Sequence, residues 1–276
     1  MLDVVHNDGY TELDYHSLFG TQEVKATSEW FSDYKKRPVI IERSAYAGMG
    51  KYGSRWLGDN NADTGSMGRS VTGIMMHNIF GIPLAGADIC GFGSSTTPEL
   101  CARWHVLGAF YPFSRNHNAN DNDPQEPWVF KKDIYEGQTS YLDIMRMAIR
   151  TKYNLIRYYY TQLSKSSNEG GAFYKPVFFE FPEDSNAYLD PHNNVMLGDA
   201  LKLSVLSNAV EKNETTFYFP AGTWCNIYNI TDPCFNAAGP RDYSSKAYAF
   251  QLHFREGYIV PLQDARGLGI NTTRQL

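Results

Sequence analysis

Polar and charged side chains follow three short apolar runs of this sequence, at the points where buried strands would end. Asp88 follows one run, Arg115 and His117 follow another, and Arg43 follows a third. Polar groups at the carboxyl ends of parallel strands form the active face of a (β/α) barrel. Because several such ends alternate with helical patterns, the sequence predicts a barrel that handles sugars or phosphates.

Three carboxylates are the main candidates for catalysis. Asp59 follows a Trp-Leu-Gly turn, Asp63 comes shortly after it, and Asp88 follows a predicted strand. Two carboxylates that face each other across a concave site are what glycoside hydrolysis requires. A purely structural interpretation is also open, in which Asp88 is the buried partner of Arg43 or Arg115 and Asp59 only shapes a turn.

The same sequence disfavours other kinds of site. Residues 48–53 match the glycine spacing of a dinucleotide-binding turn, but no strand runs directly into them. The Asn- and Asp-rich segment 118–126 lacks the alternation and the glycine of a calcium loop. Neither cysteine pair has zinc-site spacing, and no Ser/His/Asp triad can be placed. We therefore expect neither a metal ion nor a nucleotide.

Composition limits the possible partners. With 276 residues, the chain is long enough for one large domain or two small ones. A net charge of −5 and a pI of about 5.8 argue against nucleic-acid binding, which needs a basic face. No apolar run is long enough to predict a membrane span.

The sequence has one of the two features that are typical of secretory proteins, glycosylation sequons, but not the other, a signal peptide. The amino terminus lacks the basic and apolar regions of a signal peptide, so none is expected in this chain. Glycosylation sequons begin at Asn213, Asn229 and Asn271, and they favour a secretory compartment.

Four cysteines form two pairs that are close in sequence, Cys90 with Cys101 and Cys225 with Cys234. A Cys90–Cys101 bridge would tie a strand end to the first turn of the next helix. Spacing alone leaves open whether either pair is a disulfide or two buried thiols.

The predicted secondary structure of the chain changes near residue 168. Before it, apolar residues recur at helical spacing over 66–80, and Thr97 followed by Pro98 and Glu99 predicts another helix start. Residues 133–165 are helical in character. After it come short β-rich pieces at 175–181, 201–206, 215–219, 224–228 and 248–254. The pattern predicts an α/β part followed by an antiparallel β-domain.

Five blocks of the sequence carry a resemblance to a known family, namely residues 43–44, 55–60, 81–92, 99–104 and 107–118. They resemble family 31 of the glycoside hydrolases, within it the acid α-glucosidase, maltase-glucoamylase and sucrase-isomaltase group. The resemblance extends to residues 15–20 on one side and to 218–224 and 255–261 on the other.

The resemblance implies a fold and an activity. It implies the second half of a (β/α)8 TIM barrel over residues 1–168, followed by a small antiparallel β-sandwich domain over 169–276. A further β-domain of the family would be missing or only begun. The implied activity is a retaining exo-α-glucosidase without a cofactor, which removes terminal glucose from maltose-type oligosaccharides. The parent protein would be secreted, lysosomal or at the cell surface.

The resemblance also assigns site residues. Asp59 corresponds to the general acid/base, and Cys90–Cys101 to the family's disulfide behind the site. The residues that would line the subsite for the terminal glucose are Arg43, Trp56, Asp88, Phe92 and His117. We expect Asn116 to face this pocket together with His117.

Two departures from the family pattern stand out. The family's nucleophile lies in a Trp-x-Asp-Met-Asn-Glu motif upstream of the block at 15–20, and no such motif occurs here. We therefore expect the missing amino-terminal half of the enzyme to be a partner, and this chain alone to be inactive. Thr64 and Gly65 stand where the family has Trp-Glu. This favours, as one alternative, a non-catalytic carbohydrate-binding or truncated family member. A second alternative is an enzyme of other specificity, such as an isomaltase, a glycan-trimming glucosidase or an α-xylosidase, because the subsites for the leaving group lie largely on the missing half.

Overall fold

The computed structural model describes residues 1–137, 139–209, 214–227, 231–244 and 250–265. The three sequon asparagines, Asn213, Asn229 and Asn271, lie outside the described residues. No helix in the described part is both long and apolar enough to cross a membrane.

Four parallel strands form the first part of the molecule. They are β1 (Ile41–Glu42), β2 (Ser54–Leu57), β3 (Ala85–Ile89) and β4 (Arg115–Asn116), and they lie side by side in chain order. The helices around them are α1 (Glu12–Tyr15), α2 (Phe19–Asp33), α3 (Thr64–Ile79), α4 (Pro98–Gly108), α5 (Tyr141–Asn154) and α6 (Ile156–Glu169). Short 3-10 helices lie at His16–Leu18, Met49–Lys51, Pro127–Lys132, Val177–Phe179 and Ser185–Tyr188. The arrangement is a partial TIM barrel, as predicted.

The two helices that follow β2 and β3 begin and end where local chemistry requires. Asp63 caps α3 by accepting a hydrogen bond from the Ser66 amide, and Gly81, with φ of 81°, ends it. Thr97 caps α4 by accepting from the Leu100 amide, and Pro98 occupies its first turn. The predictions of helices over 66–80 and after Thr97 are confirmed.

The predicted continuous helical stretch over 133–165 is wrong in two places. Residues Ile134–Tyr135 (β5) and Thr139–Ser140 (β6) form a small antiparallel hairpin before the first helix. Ser140 then caps α5, and the helix stops at Leu155 before α6 begins. Strands of two residues carry no periodic pattern, so the hairpin leaves no trace in the sequence.

The second part is one six-stranded antiparallel sheet with the order β11-β10-β12-β9-β8-β7. Its strands are β7 (Tyr174–Pro176), β8 (Asn194–Leu197), β9 (Leu201–Ser204), β10 (Glu214–Asn226), β11 (Phe235–Ser244) and β12 (Gln251–Arg255). The pieces predicted at 215–219 and 224–228 are a single strand, β10, with an irregularity between Phe219 and Gly222. A bulge lets one strand pass through a Pro-Ala-Gly sequence that would otherwise end it.

A shared core joins the two parts. One cluster of buried apolar side chains runs from Met67 and Trp104 in the barrel part to Leu203 and Leu252 in the sheet. Asn78 at the end of α3 accepts hydrogen bonds from the amides of Phe173 and Tyr174, both at 2.9 Å. The antiparallel sheet therefore packs against the helices that hold the barrel strands in place.

Candidate active site

The candidate site residues gather at the carboxyl ends of the four parallel strands. Arg43 follows β1, Asp59 follows β2, Phe92 follows β3 and His117 follows β4, while Asp88 lies near the end of β3. Parallel strands bring their carboxyl ends to one edge of the sheet, which is the edge where TIM barrels carry their active sites.

Asp88 is the most enclosed of these residues, with no exposed surface. The indole Nε1–H of Trp56 donates to its Oδ1 at 2.7 Å, and the amide of Asp59 donates to its Oδ2 at 3.1 Å. Burial raises the pKa of the Asp88 carboxyl, although both donors and the nearby His117 and Arg115 act against the rise. Because no cation lies within 4.0 Å of this carboxylate in the described part, Asp88 is not the ion-pair partner of Arg43 or Arg115.

Asn60 ties the loop after β2 to the strand β3. Its side-chain Nδ2 donates to the Asp88 carbonyl at 2.9 Å, and its Oδ1 accepts from the Asp88 amide at 3.1 Å. Its own carbonyl accepts from the amides of Phe92 and Gly93. This asparagine therefore fixes the relative positions of Asp59 and Asp88.

Asp59 has a left-handed backbone, with φ of 60°, which is uncommon for a residue other than glycine. Its Oδ2 lies 2.8 Å from Nη1 of Arg43, and about a third of the side chain is exposed. The preceding Gly58 must be a glycine, because a Cβ there would lie 1.9 Å from the Trp56 ring. Local sterics thus press Trp56 against the turn that presents the Asp59 carboxylate.

Aromatic rings form the walls of the site. The ring of His117 lies 5.1 Å from that of Phe92 and 6.1 Å from that of Trp56, measured between centroids. Two guanidinium groups also approach Trp56, that of Arg115 at 4.9 Å and that of Arg43 at 5.8 Å from the ring centroid. The site combines apolar surfaces with groups that can hydrogen-bond.

Two residues proposed from the sequence lie elsewhere. Asp63 is the amino-terminal cap of α3, and both of its carboxylate oxygens contact Ser66. Asn116 donates to the Gln125 carbonyl at 3.0 Å and approaches His105, behind the strand. Successive residues of an extended chain point to opposite faces, so the expectation that Asn116 faces the pocket with His117 is wrong.

The structure contains both disulfides, Cys90–Cys101 and Cys225–Cys234. Cys90–Cys101 lies at the back of the site, with His105 Nδ1 3.3 Å and 3.6 Å from the two sulfur atoms. Burial lowers the pKa of His105 to about 4. In the described part, these three residues form the one group with metal-ligand proximity, but the two sulfur atoms are bonded to each other.

Family models match both parts of the chain. The model of the glycosyl hydrolases family 31 TIM-barrel domain matches residues 2–162, and that of the family 31 C-terminal domain matches residues 170–260. The chain belongs to glycosyl hydrolase family 31.

The relatives of this family 31 chain are much longer than it is. It is 35% identical to lysosomal α-glucosidase from Bos taurus, covering 95% of this chain but 28% of the relative. It is 37% identical to intestinal sucrase-isomaltase from Homo sapiens, covering 95% of this chain and 14% of the relative. The solved structure of a Glc1Man2-bound glucosidase II α subunit superposes with a TM-score of 0.83 at 25% identity, covering 94% of this chain and 28% of that one.

The structure brings most of the residues proposed from the sequence to one edge of the parallel sheet, and it adds Asn60 to them. Arg115, which the sequence places at the same strand end as His117, contacts the Trp56 ring. Asn60 was visible only as part of a turn, and a guanidinium that stacks on an aromatic ring has no characteristic spacing. The departures Thr64 and Gly65 form the first turn of α3, beside the cap Asp63.

Proposed function

We propose that this chain is the second half of the catalytic barrel of a retaining exo-α-glucosidase, which removes terminal α-linked glucose from maltose-type oligosaccharides. The observation that carries the proposal is the arrangement of Asp59, held between Arg43 and the buried Asp88 at the open end of the barrel strands. Family membership and the α-glucosidases among the relatives support the same reaction.

In this proposal Asp59 is the general acid/base. Its carboxyl group protonates the oxygen of the leaving sugar in the first step and accepts a proton from water in the second. Arg43, 2.8 Å away, orients the carboxylate and stabilises its negative charge when it is ionised. Partial exposure leaves the carboxylate accessible to a substrate that enters from the open face.

The remaining residues would bind the terminal glucose. Asp88 and His117 can hydrogen-bond sugar hydroxyl groups, since a carboxylate and an imidazole both offer acceptors. Trp56 and Phe92 would provide the apolar walls against which a sugar ring packs. Binding of one sugar unit at its non-reducing end fits the exo-acting reaction.

A second carboxyl group is required for retention, about 5–5.5 Å from the first. Within the described residues neither neighbouring candidate is free for this role. Asp88 is proposed to bind sugar hydroxyl groups, and both oxygens of Asp63 cap α3. We propose that the nucleophile comes from an upstream half of the enzyme, and that residues 1–276 alone are inactive.

The compartment is proposed on two observations. Disulfides form and persist in oxidising environments, and this chain contains two of them. One of its relatives is a lysosomal α-glucosidase. Both favour the secretory pathway for the parent protein.

The test joins this chain to the upstream half encoded before it in the parent gene. We expect release of glucose from maltose and from an aryl α-glucoside, and loss of both when Asp59 is changed to Asn. Parallel assays with isomaltose and an aryl α-xyloside report the specificity. Residues 1–276 alone should give no turnover.

Two outcomes would contradict the proposal. Turnover by the isolated chain that depends on Asp59 would mean that the nucleophile lies within it. A joined protein that binds a glucose-like inhibitor but never hydrolyses any substrate would instead favour the non-catalytic carbohydrate-binding alternative.

A further inference from the structure

Arg115 forms no ion pair with any residue that the structure describes. It pairs in parallel register with Asp88 on the neighbouring strand, and its side chain is exposed. Within the described ranges, no carboxylate oxygen lies within 4.0 Å of its guanidinium group. Instead, the guanidinium carbon lies 4.9 Å from the centroid of the Trp56 ring. This is the usual geometry of a cation–π contact.

The indole N–H is the single polar group of the Trp56 side chain, and it donates a hydrogen bond to Asp88. The indole Nε1–H points at Oδ1 of Asp88 at 2.7 Å, and indole offers no other donor. Asp88 is completely buried, so its carboxylate depends on the few donors that reach it. The orientation of the Trp56 ring therefore decides whether one of the two carboxylate oxygens has a partner.

Arg43 lies farther from the Trp56 ring than Arg115 does and has another partner. Its guanidinium is 5.8 Å from the Trp56 ring centroid, and its Nη1 is held at 2.8 Å by Asp59. Arg115 is closer to the ring and has no such competing ion pair in the described part. The two arginines thus have different partners. Arg43 pairs with the Asp59 carboxylate, and Arg115 stacks on the Trp56 indole, which donates to Asp88.

We propose that Arg115 is a positioning residue, which holds the Trp56 ring in the orientation that delivers its N–H to Asp88. Its importance for catalysis rests on the proposed function, in which Asp88 binds sugar hydroxyl groups. The contact itself does not depend on that function. Arg115 also contributes a positive charge near Asp88, together with His117, and both favour the ionised carboxylate.

The experiment follows the Trp56 indole proton in the full 276-residue chain by NMR, with tryptophan side chains labelled with ¹⁵N. The chain has five tryptophans, and Trp56→Phe assigns the resonance of interest. A titration from pH 7 to pH 3 reports protonation of Asp88 through its hydrogen-bonded partner, and Asp88→Asn identifies the inflection that belongs to Asp88. No substrate or nucleophile is needed.

Arg115→Met keeps much of the aliphatic stem and removes the charged plane. We expect it to move the Trp56 resonance and to raise the midpoint of the Asp88 titration by about half a unit to one unit. Arg115→Lys keeps the charge but not the planar stack, so the resonance should move while the midpoint rises less. Arg146→Met is the matched control, because Arg146 is exposed on α5 and pairs with Asp143.

The proposal is overturned if Arg115→Met leaves both the resonance and the midpoint as in the unchanged chain. Should Arg115→Met fail to fold, an unmoved resonance in Arg115→Lys overturns it equally. Because the readout needs no hydrolysis, this inference can fail while the α-glucosidase proposal stands. The reverse holds as well, since an inactive joined enzyme leaves the Trp56 titration unaffected.

Discussion

Asp88 in the barrel part and Lys202 in the antiparallel sheet both have completely buried ionisable side chains. Both have lost the water that would hydrate their charged forms, but different groups hydrogen-bond to them. Neither has an opposite charge within 4.0 Å among the described residues. Asp88 accepts hydrogen bonds from Trp56 and Asp59, which belong to the neighbouring strand and its loop. Lys202 donates to Asn194 Oδ1 at 2.8 Å and to Ser204 Oγ, within its own sheet.

The energetic effect of burial is the same for both residues. Burial raises the pKa of Asp88 and lowers that of Lys202 well below its usual range, because each charged form has lost its water. The partners make the difference. The partners of Lys202 lie within the antiparallel sheet, where the Lys202 Nζ is also 4.2 Å from the Phe219 ring centroid. The partners of Asp88 include Asp59, the candidate acid/base. Changes at the barrel site should therefore affect activity, and changes around Lys202 should affect stability.

The largest effect expected on the barrel side follows from Asp59→Asn. In the joined enzyme this change should lower kcat/KM for an aryl α-glucoside by about 10²- to 10⁴-fold, the usual contribution of general acid–base catalysis. The free energy of unfolding should change by less than about 1 kcal/mol, because only a half-exposed ion pair with Arg43 is lost. Steady-state kinetics and urea denaturation measure the two. A large loss of stability with unchanged kcat/KM would mean that Asp59 stabilises the fold and takes no part in the reaction.

The next effect concerns acid stability of the sheet. His253 is buried among aromatic rings, and burial lowers its pKa from 6.5 to about 4, with Lys202 and Arg241 adding to the effect. Between pH 6.5 and 4 the unfolded chain therefore binds a proton that the folded chain refuses, so stability falls as the pH falls. This histidine should account for about 3 kcal/mol of that loss.

His253→Phe should flatten this part of the stability curve, measured by urea denaturation at a series of pH values. His16→Phe is the control, since His16 is mostly exposed on the barrel side. An equally steep loss of stability in the His253→Phe variant would show that other groups cause it. One such group is His105, the buried histidine of the barrel part, whose pKa is also about 4.

Lys202→Met tests the sheet side of the comparison directly. The change leaves the acceptors Asn194 Oδ1 and Ser204 Oγ without their donor, which should cost about 1–3 kcal/mol of stability. It should leave kcat/KM of the joined enzyme unchanged. Lys165→Met, at an exposed ion pair with Asp199, should cost less than about 1 kcal/mol.

The pH dependence around Lys202 supplies a second readout. The folded chain binds no proton on Lys202 between its lowered pKa and the ordinary value of 10.5, whereas the unfolded chain does. Stability should therefore rise with pH across this window in the unchanged chain. That contribution should be absent from Lys202→Met, and an identical slope in both would mean that Lys202 stays protonated in the folded chain.

The parts of the fold that the sequence predicted are those with local causes. The apolar period over 66–80 predicted helix α3, and Thr97 with Pro98 predicted α4, whereas the cap of α3 at Asp63 was found only in the structure. Strand β11 escaped prediction because it is polar and contains Gly239 and Pro240, which normally end a strand. Its pairing with β10 decides its conformation, and a pairing between distant residues leaves no local pattern.

The candidate site shows the same division. Strand ends predicted the neighbourhood of Asp88 and His117, because the carboxyl ends of parallel strands must share an edge. Alternation along an extended chain implies that Asn116 and His117 take opposite faces, but which of the two faces the site could not be predicted, nor could the stack of Arg115 on Trp56. Both depend on which face a side chain takes in strands too short to show alternation.

The smallest expected effect separates the two aspartates that follow β2. Asp63→Ala removes the cap of α3 and should cost about 1 kcal/mol of stability, since the Ser66 amide loses its acceptor. Ser140→Ala, at the cap of α5, is the matched control and should cost a similar amount. Both variants of the joined enzyme should keep the kcat/KM of the unchanged enzyme, because neither cap contacts the candidate site. Thermal denaturation gives the stability, and hydrolysis of an aryl α-glucoside gives the activity. If Asp63→Ala lost activity as severely as Asp59→Asn while Ser140→Ala kept it, Asp63 would belong to the reaction, and its assignment as a helix cap alone would be wrong.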